Sequence, residues 1–379
     1  MLRVALRLVW TIMCLVLCVP STGRTQPPAL QPLAIKAALP AFDLPGVDGQ
    51  RHRETEFAQA RVLVLIFTCN HCPTAQAYEE RIMALDADYR DRGVAIVAIS
   101  PNDPLAVRLD ELGYTEVGDS LEDMQHRARL RGFRFPYLFD GETQELSRRM
   151  GVLATPHVFV FDQARTLQYQ GRIDDSDIGT VTSHDTRNAI EALLAGQPVP
   201  VATTRVFGCS TKWSDKRASA RESLARWDQE PVDLVVADEA AFRELSANPT
   251  ENYRLVNIWS VTCAPCITEL PELVTIHRMY RKRHFELITV CLDGSEAEAQ
   301  ARKFLGEHHV SCRNLLNGTG SQDKLAEALD PKWQGPVPYT ILVAPGGEVV
   351  ARWADEIDPL AVKSEIVHHL GRTYASRRR

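Results

Sequence analysis

Apolar residues along this chain fall into short unbroken runs separated by longer stretches of helical spacing. Val62-Leu63-Val64-Leu65-Ile66-Phe67 is apolar on both alternating faces, the pattern of a strand covered on two sides. Leu255-Val256-Asn257-Ile258-Trp259 repeats it, interrupted only by Asn257. Around the first run the pattern predicts a strand and turn over 42–49, a helix over 74–90, a strand over 94–100 and helical stretches near 121–130 and 145–150. A strand entered through Pro156, a strand over 167–172 and a helix over 186–195 follow. Around the second run it predicts a helix over 239–245 capped by Asp238, helices over 267–283 and 296–309, and a strand over 286–292. A strand entered through Pro338, a hairpin turn at Pro345-Gly346-Gly347 and a closing helix over 358–370 complete it. The fold class is therefore α/β: two tandem units, each a mixed central sheet flanked by helices.

The organisation follows from length and composition. Residues 1–23 read as an export signal, with Arg3 and Arg7 ahead of the short apolar core 8–19 and small residues at Ser21-Thr22-Gly23. That core is shorter than the ~20 residues a spanning helix needs, so no stable membrane span is expected after cleavage. The expected units are 33–199 and 232–374, joined by a linker over 200–231 whose charged, helix-prone part reads as a semi-rigid spacer. Apolar content of 45% and charged content of 24% are ordinary for globular domains, and a formal charge of −6 argues against a nucleic-acid partner. The basic cluster from Arg127 to Arg134 reads as a solvated helix face.

Candidate chemistry lies directly after each apolar run. Thr68-Cys69-Asn70-His71-Cys72-Pro73 follows the first, and Thr262-Cys263-Ala264-Pro265-Cys266 follows the second. A strand that delivers two thiols to a helix start favours the thiolate, because the first turn leaves backbone N–H groups unpaired at the positive end of the helix dipole. Two intervening residues place the sulfurs within disulfide reach and leave the first one exposed. Cys69 and Cys263 are thus the expected nucleophiles, with Cys72 and Cys266 as resolving thiols. His71 would place positive charge beside Cys69, making the first pair the more oxidising couple. Neither pair is followed by His, since Pro73 and Ile267 stand there, which excludes c-type haem attachment. No metal or cofactor is called for, although Cys69, His71 and Cys72 form a conceivable zinc grouping. Cys291 reads as a core residue, while Cys209 reads either as a structural thiol or as one that folds back on the first pair.

Both halves resemble the thioredoxin superfamily. The second resembles the TlpA/ResA group of extracytoplasmic thiol-disulfide oxidoreductases in Asn257-Ile258-Trp259, Glu269-Leu270-Pro271 and Val337-Pro338; the first is similar to redoxin-type, AhpC/TSA-like domains. The resemblance implies a cis proline at Pro156 and Pro338, with the backbone of Thr155 or Val337 offered to a substrate strand. It also implies that Glu269 assists proton transfer for Cys266. By motif alignment the first half has Ala75 where the second has Glu269, and Leu63 where it has Asn257. The expected function is an exported thiol-disulfide oxidoreductase of reductase or isomerase type, with protein thiols or disulfides and an extracytoplasmic electron donor as partners. The alternatives are thiol peroxidase activity in the first half, for which the P-x-x-x-T-x-x-C pattern is missing, and a non-catalytic redox-regulated or Sco-like metal-binding protein.

Overall fold

The structure is a computed structural model that describes residues 30–374; the export signal expected over 1–23 lies outside the described residues. The first unit runs β1 (Asp43–Pro45), β2 (Arg51–Arg53), β3 (Val62–Phe67), α1 (Pro73–Tyr89), β4 (Val94–Ser100), α2 (Leu121–Arg131), β5 (Tyr137–Phe139), α3 (Glu145–Met150), β6 (Ala154–Thr155), β7 (His157–Phe161), β8 (Leu167–Gly171) and α4 (Asp185–Leu194). Next come β9 (Cys209–Ser210) and α5 (Arg217–Trp227). The second unit runs β10 (Val235–Ala237), α6 (Glu239–Ala247), β11 (Tyr253–Trp259), α7 (Ala264–Tyr280), β12 (Phe285–Cys291) and α8 (Glu298–Glu307). It closes with β13 (Arg313–Asn317), α9 (Gln322–Leu329), β14 (Tyr339–Val343), β15 (Val349–Trp353) and α10 (Pro359–Leu370).

The two sheets share one plan. The first is ordered β5-β4-β3-β7-β8 and the second β10-β13-β12-β11-β14-β15. In each, the strand that leads to the cysteines is central, parallel to the strand that follows it (β4 or β12) and antiparallel to the strand after the proline (β7 or β14). Alternation explains the double burial. Val62, Val64 and Ile66 pack with Tyr78 and Ile82, while Leu63, Leu65 and Phe67 face Phe42, Leu146 and Met150. In β11, Leu255 and Trp259 join the cluster under α7, and Val256 and Ile258 join the one formed with α6 and α9.

Two expectations are corrected by packing. Arg127 is not on a solvated face but 1% exposed, with its guanidinium on Glu79 (2.9 and 2.8 Å), Gln76 (3.1 Å) and Glu116 (3.3 Å). The acidic partners make its burial tolerable. The stretch expected as a spacer is fastened at its start to the first unit instead: Ser214 N–H donates to Gln144 Oε1 at 2.9 Å, and the Arg217 guanidinium pairs with buried Asp103.

The units also touch each other. Leu109 and Leu112 pack on the core beneath α7, the Tyr280 hydroxyl donates to the Thr115 carbonyl at 2.9 Å, and the Arg283 guanidinium lies 3.8 Å above the Tyr114 ring. Arg372 pairs with buried Glu116, and Lys282 with Asp110. No helix among the described residues is long and apolar enough to cross a membrane.

Candidate active site

At the second pair, Cys263 is the N-cap of α7 and its sulfur accepts the Cys266 N–H at 3.3 Å. Pro265 lies in the first turn, where the missing N–H costs nothing. Cys263 is half-buried and Cys266 fully buried, and the two are joined as a disulfide. Cys263 Sγ lies 3.6 Å from the carbonyl oxygen of Val337, the residue before cis Pro338, and no described strand pairs with Val337. The alternation of β11 turns Asn257 toward α7, where its amide donates to Glu269 Oε1 at 2.7 Å and to Thr340 Oγ1 at 3.0 Å. The other Glu269 oxygen accepts the Ile357 N–H at 3.1 Å. Burial raises the Glu269 carboxyl above its usual range, with the Ile357 and Asn257 hydrogen bonds only partly offsetting it.

A carboxyl held this way, one turn beyond Cys266, keeps its proton to a higher pH than an ordinary carboxylate does. In Glu269→Gln, the pH profile of alkylation of the reduced Cys263/Cys266 pair should lose an inflection above the ordinary carboxylate range. An unchanged profile removes Glu269 from proton transfer.

The first pair has a different geometry. Cys72, not Cys69, is the N-cap of its helix, with its sulfur accepting the Ala75 N–H at 3.4 Å. Cys72 Sγ lies 3.4 Å from the Thr155 carbonyl, and Thr155 precedes cis Pro156. Sheet register gives the same answer: Ile66 faces Val158 as Asn257 faces Thr340, each opposite the second residue after its proline. The loop from strand to helix cap is therefore equally long in the two units, six residues from Ile66 to Cys72 and six from Asn257 to Cys263, and the Cys-x-x-Cys pair itself begins three residues earlier in the first. Cys72 stands where Cys263 stands, and Cys69 lies before the helix. The positions equivalent to Asn257 and Glu269 are then Ile66 and Tyr78 rather than Leu63 and Ala75. The expectation of an exposed Cys69 is also corrected: Cys69 is 3% exposed and Cys72 0%. Motif spacing alone hid the shift because both pairs are Cys-x-x-Cys.

His71 faces a carboxylate rather than Cys69. Its Nδ1 is 2.6 Å from Asp119 Oδ2, which also accepts the Asn102 amide at 2.8 Å. Asp119 Oδ1 accepts the backbone N–H groups of Asn70 (2.9 Å) and His71 (3.1 Å). Burial disfavours the imidazolium, but the Asp119 charge outweighs it and raises the His71 pKa; His71 in turn holds Asp119 below the usual carboxylate range against burial. For Cys72, burial opposes ionisation, yet hydrogen bonds from Cys209 and Cys69, the His71 charge and the Ala75 N–H bring the thiol well below its ordinary value. Burial, together with Cys72 and Asp119, pushes Cys69 well above its own.

Asp119 is the residue that sequence reasoning does not place at the site, and Cys209 is placed there only as the alternative to a structural thiol. Cys209 packs against Cys69, Cys72 and Ala75, and the Tyr374 hydroxyl hydrogen-bonds to it. The Thr155 backbone, expected to receive a substrate, pairs with Cys209 of β9. Cys291 is fully buried, and burial pushes both Cys291 and Cys312 up to about 12, which leaves them poor nucleophiles at neutral pH. Cys69, His71 and Asp119 bring ligand atoms within 4.8 Å of one another, but both Asp119 oxygens are already occupied by donors, so a cation would have to displace His71 or Asn102.

His157, the residue after cis Pro156, is fully buried; Nε2 faces Gln170 Oε1 at 2.9 Å and Nδ1 accepts the Leu153 N–H at 3.4 Å. Burial lowers its pKa to about 4. Between the unfolded value near 6.5 and 4, the unfolded chain binds a proton that the folded chain refuses, so stability is lost as pH falls. Its share between pH 7 and 5 is roughly 2 kcal/mol. Denaturant unfolding should show His157→Gln less acid-sensitive than wild type by that amount; equal slopes would remove His157 as the cause.

Part of the chain has counterparts in curated proteins. A thiol-disulfide oxidoreductase ResA of Oceanobacillus iheyensis is 30% identical over 95 residues, which is 25% of this chain and 45% of that protein. ResA of Halalkalibacterium halodurans is 27% identical over 135 residues, 35% of this chain and 70% of its own length. The chain thus spans less than half of the first relative. Among solved structures, a hypothetical protein of Sinorhizobium meliloti 1021 is 30% identical and matches 48% of this chain and 97% of its own, with a TM-score of 0.44. Residues 35–170 and again 232–352 match the AhpC/TSA family, once for each sheet and its cysteine pair, and the chain belongs to that family.

Proposed function

We propose that the protein is an exported thiol-disulfide oxidoreductase that exchanges disulfides with protein substrates through two dithiol sites of different redox poise. One observation carries this reading. Each unit sets a cysteine at the N-cap of the helix after its central strand, with the sulfur 3.4 or 3.6 Å from the carbonyl before a cis proline. Such a sulfur gains from the helix start as a thiolate, and the neighbouring backbone offers hydrogen bonds to an extended substrate. Exchange proceeds by attack of that thiolate on a substrate disulfide, a mixed disulfide, and displacement by the second cysteine.

In this reading Cys263 is the nucleophile and Cys266 the resolving thiol of the second site, with Glu269 as proton acceptor and Val337-Pro338 as the substrate ledge. In the first site Cys72 takes the role first expected of Cys69, because it holds the helix cap and the lowered pKa. His71 and Asp119 fix the charge beside it, and Thr155-Pro156 form the equivalent ledge. Protein thiols or disulfides and an extracytoplasmic electron donor are the partners.

The wild-type chain should reduce insulin disulfides in the presence of dithiothreitol; a non-catalytic redox-regulated protein would give no turnover above reductant alone. The poise has its own test. Stabilising the Cys72 thiolate stabilises the reduced form, so the Cys69/Cys72 couple should titrate at a higher potential than Cys263/Cys266 in the intact chain. Glutathione-buffer titration with each pair followed by mass spectrometry would show this order, and the reverse order would refute it.

A further inference from the structure

Three thiols meet at the first site, and the third arrives on a strand. β9 pairs antiparallel with β6, setting Cys209 opposite Thr155 and Ser210 opposite Ala154. Thr155 touches both of the other cysteines, with its Oγ1 3.1 Å from Cys69 and its carbonyl 3.4 Å from Cys72. Gly208 permits the approach: its φ is +143°, and a Cβ there would stand 2.1 Å from the Thr155 carbonyl oxygen. The segment is tied down on both sides. Thr204 Oγ1 accepts the Arg172 N–H at 3.0 Å, and Thr211 Oγ1 donates to the Val152 carbonyl at 3.3 Å. The Cys209 thiol hydrogen-bonds to Cys72.

An extended segment lying antiparallel to the residue before the cis proline and presenting a sulfur to the dithiol has the geometry of a bound thiol substrate. Here the chain supplies that segment itself. We propose that Cys209 is a third redox-active cysteine, an internal exchange partner that forms a disulfide with Cys72. The inference rests on the dithiol reading of Cys69 and Cys72.

The exchange balances within the protein. Cys69 and Cys72 become a disulfide when a disulfide substrate accepts their two electrons. The Cys209 thiolate then attacks Cys72 Sγ; the Cys72–Cys209 bond forms as the Cys69–Cys72 bond breaks, and the electron pair leaves on Cys69, which takes up the proton that Cys209 released. No electrons enter or leave in this step. Its timing is built in. In the reduced centre the Cys72 hydrogen bond, with burial and the Cys72 charge, holds the Cys209 thiol protonated. Once Cys72 enters a disulfide that charge is gone, and Cys209 ionises more readily.

The test is disulfide mapping on the full chain, oxidised with glutathione disulfide, quenched with N-ethylmaleimide and analysed by peptide mass spectrometry. A Cys72–Cys209 peptide is expected in wild type beside Cys69–Cys72, and as the main product in Cys69→Ser, where Cys209 displaces glutathione from Cys72. In Cys209→Ser the Cys69–Cys72 link should persist alone. Wild type holding a Cys69–Cys72 link while Cys209 is alkylated throughout, in Cys69→Ser as well, overturns the third thiol and leaves the dithiol reading intact. Finding neither Cys69 nor Cys72 in any disulfide overturns both.

Discussion

Cys263→Ser should lower insulin-disulfide reduction by roughly 10²-fold or more, the scale expected when a covalent step is lost, whereas Cys69→Ser should keep most of it. The difference follows from access. A substrate disulfide must reach the attacking sulfur, and Cys263 is half-buried beside a ledge at Val337 that no described strand covers. At the first site the attacking sulfur, Cys72, is fully buried and its partner Cys69 only 3% exposed, and the corresponding ledge at Thr155 is already paired with Cys209. Cys266→Ser adds a diagnostic, since the mixed disulfide on Cys263 then lacks its internal displacer and should accumulate. Wild-type rates in Cys263→Ser would remove the second site from protein reduction, and a collapse in Cys69→Ser would put the covered site on the main route.

Asp119→Ala should destabilise the chain by about 3–5 kcal/mol, the range for removing one partner of a buried charged pair. Asp119 is 1% exposed and accepts four hydrogen bonds, two of them from the backbone of the Asn70-His71 turn. Its loss strands those donors and the imidazolium together. The pH dependence has a defined sign. His71 has a raised pKa, so its contribution is present below its unfolded value and is lost as pH rises through the folded one; Asp119 has a lowered pKa, so its contribution is present above its unfolded value and is lost as pH falls through the folded one. Asp119→Asn keeps one acceptor oxygen but not the charge. It should cost less stability yet still lower the Cys69/Cys72 potential, because a neutral His71 no longer favours the Cys72 thiolate. Denaturant unfolding and glutathione titration separate the two effects; Asp119→Ala within 1 kcal/mol of wild type would show that the turn does not depend on it.

The strands that carry the cysteines were legible because both their faces are apolar, and the helices after them because Pro73 and Pro265 mark a first turn. Pro156 and Pro338 are cis, as the resemblance implied. Short elements at the sheet margin were not legible. β10 has only three residues, with Val235 and Val236 59% and 55% exposed, so no buried face writes a period into the sequence. β13 begins and ends in polar residues, and Asn314 and Asn317 are buried by bonding loop carbonyls rather than by apolar packing. At the site, Cys-x-x-Cys spacing suggests one register for both pairs, and the three-residue offset of the first pair relative to its helix cap shows only in the sheet pairing. Asp119 lies 48 residues from His71, and nothing in Gly118-Asp119-Ser120 signals a long-range partner. The signal for Cys209 was present in Gly208-Cys209: a glycine beside a cysteine within a polar connector can mark a close backbone approach.

The contact between the units changes what a fragment of this chain would be. Without residues 232–374, Glu116 loses Arg372 and keeps Arg127, which is already shared with Glu79. The Thr115 carbonyl and the Tyr114 ring, four and five residues upstream of Asp119, lose Tyr280 and Arg283. A first half produced alone would present a rewired acidic surface beside the turn that holds its own cysteines. Its chemistry would be that of a variant, and the tandem is best treated as one molecule in which each repeat completes the other's exterior.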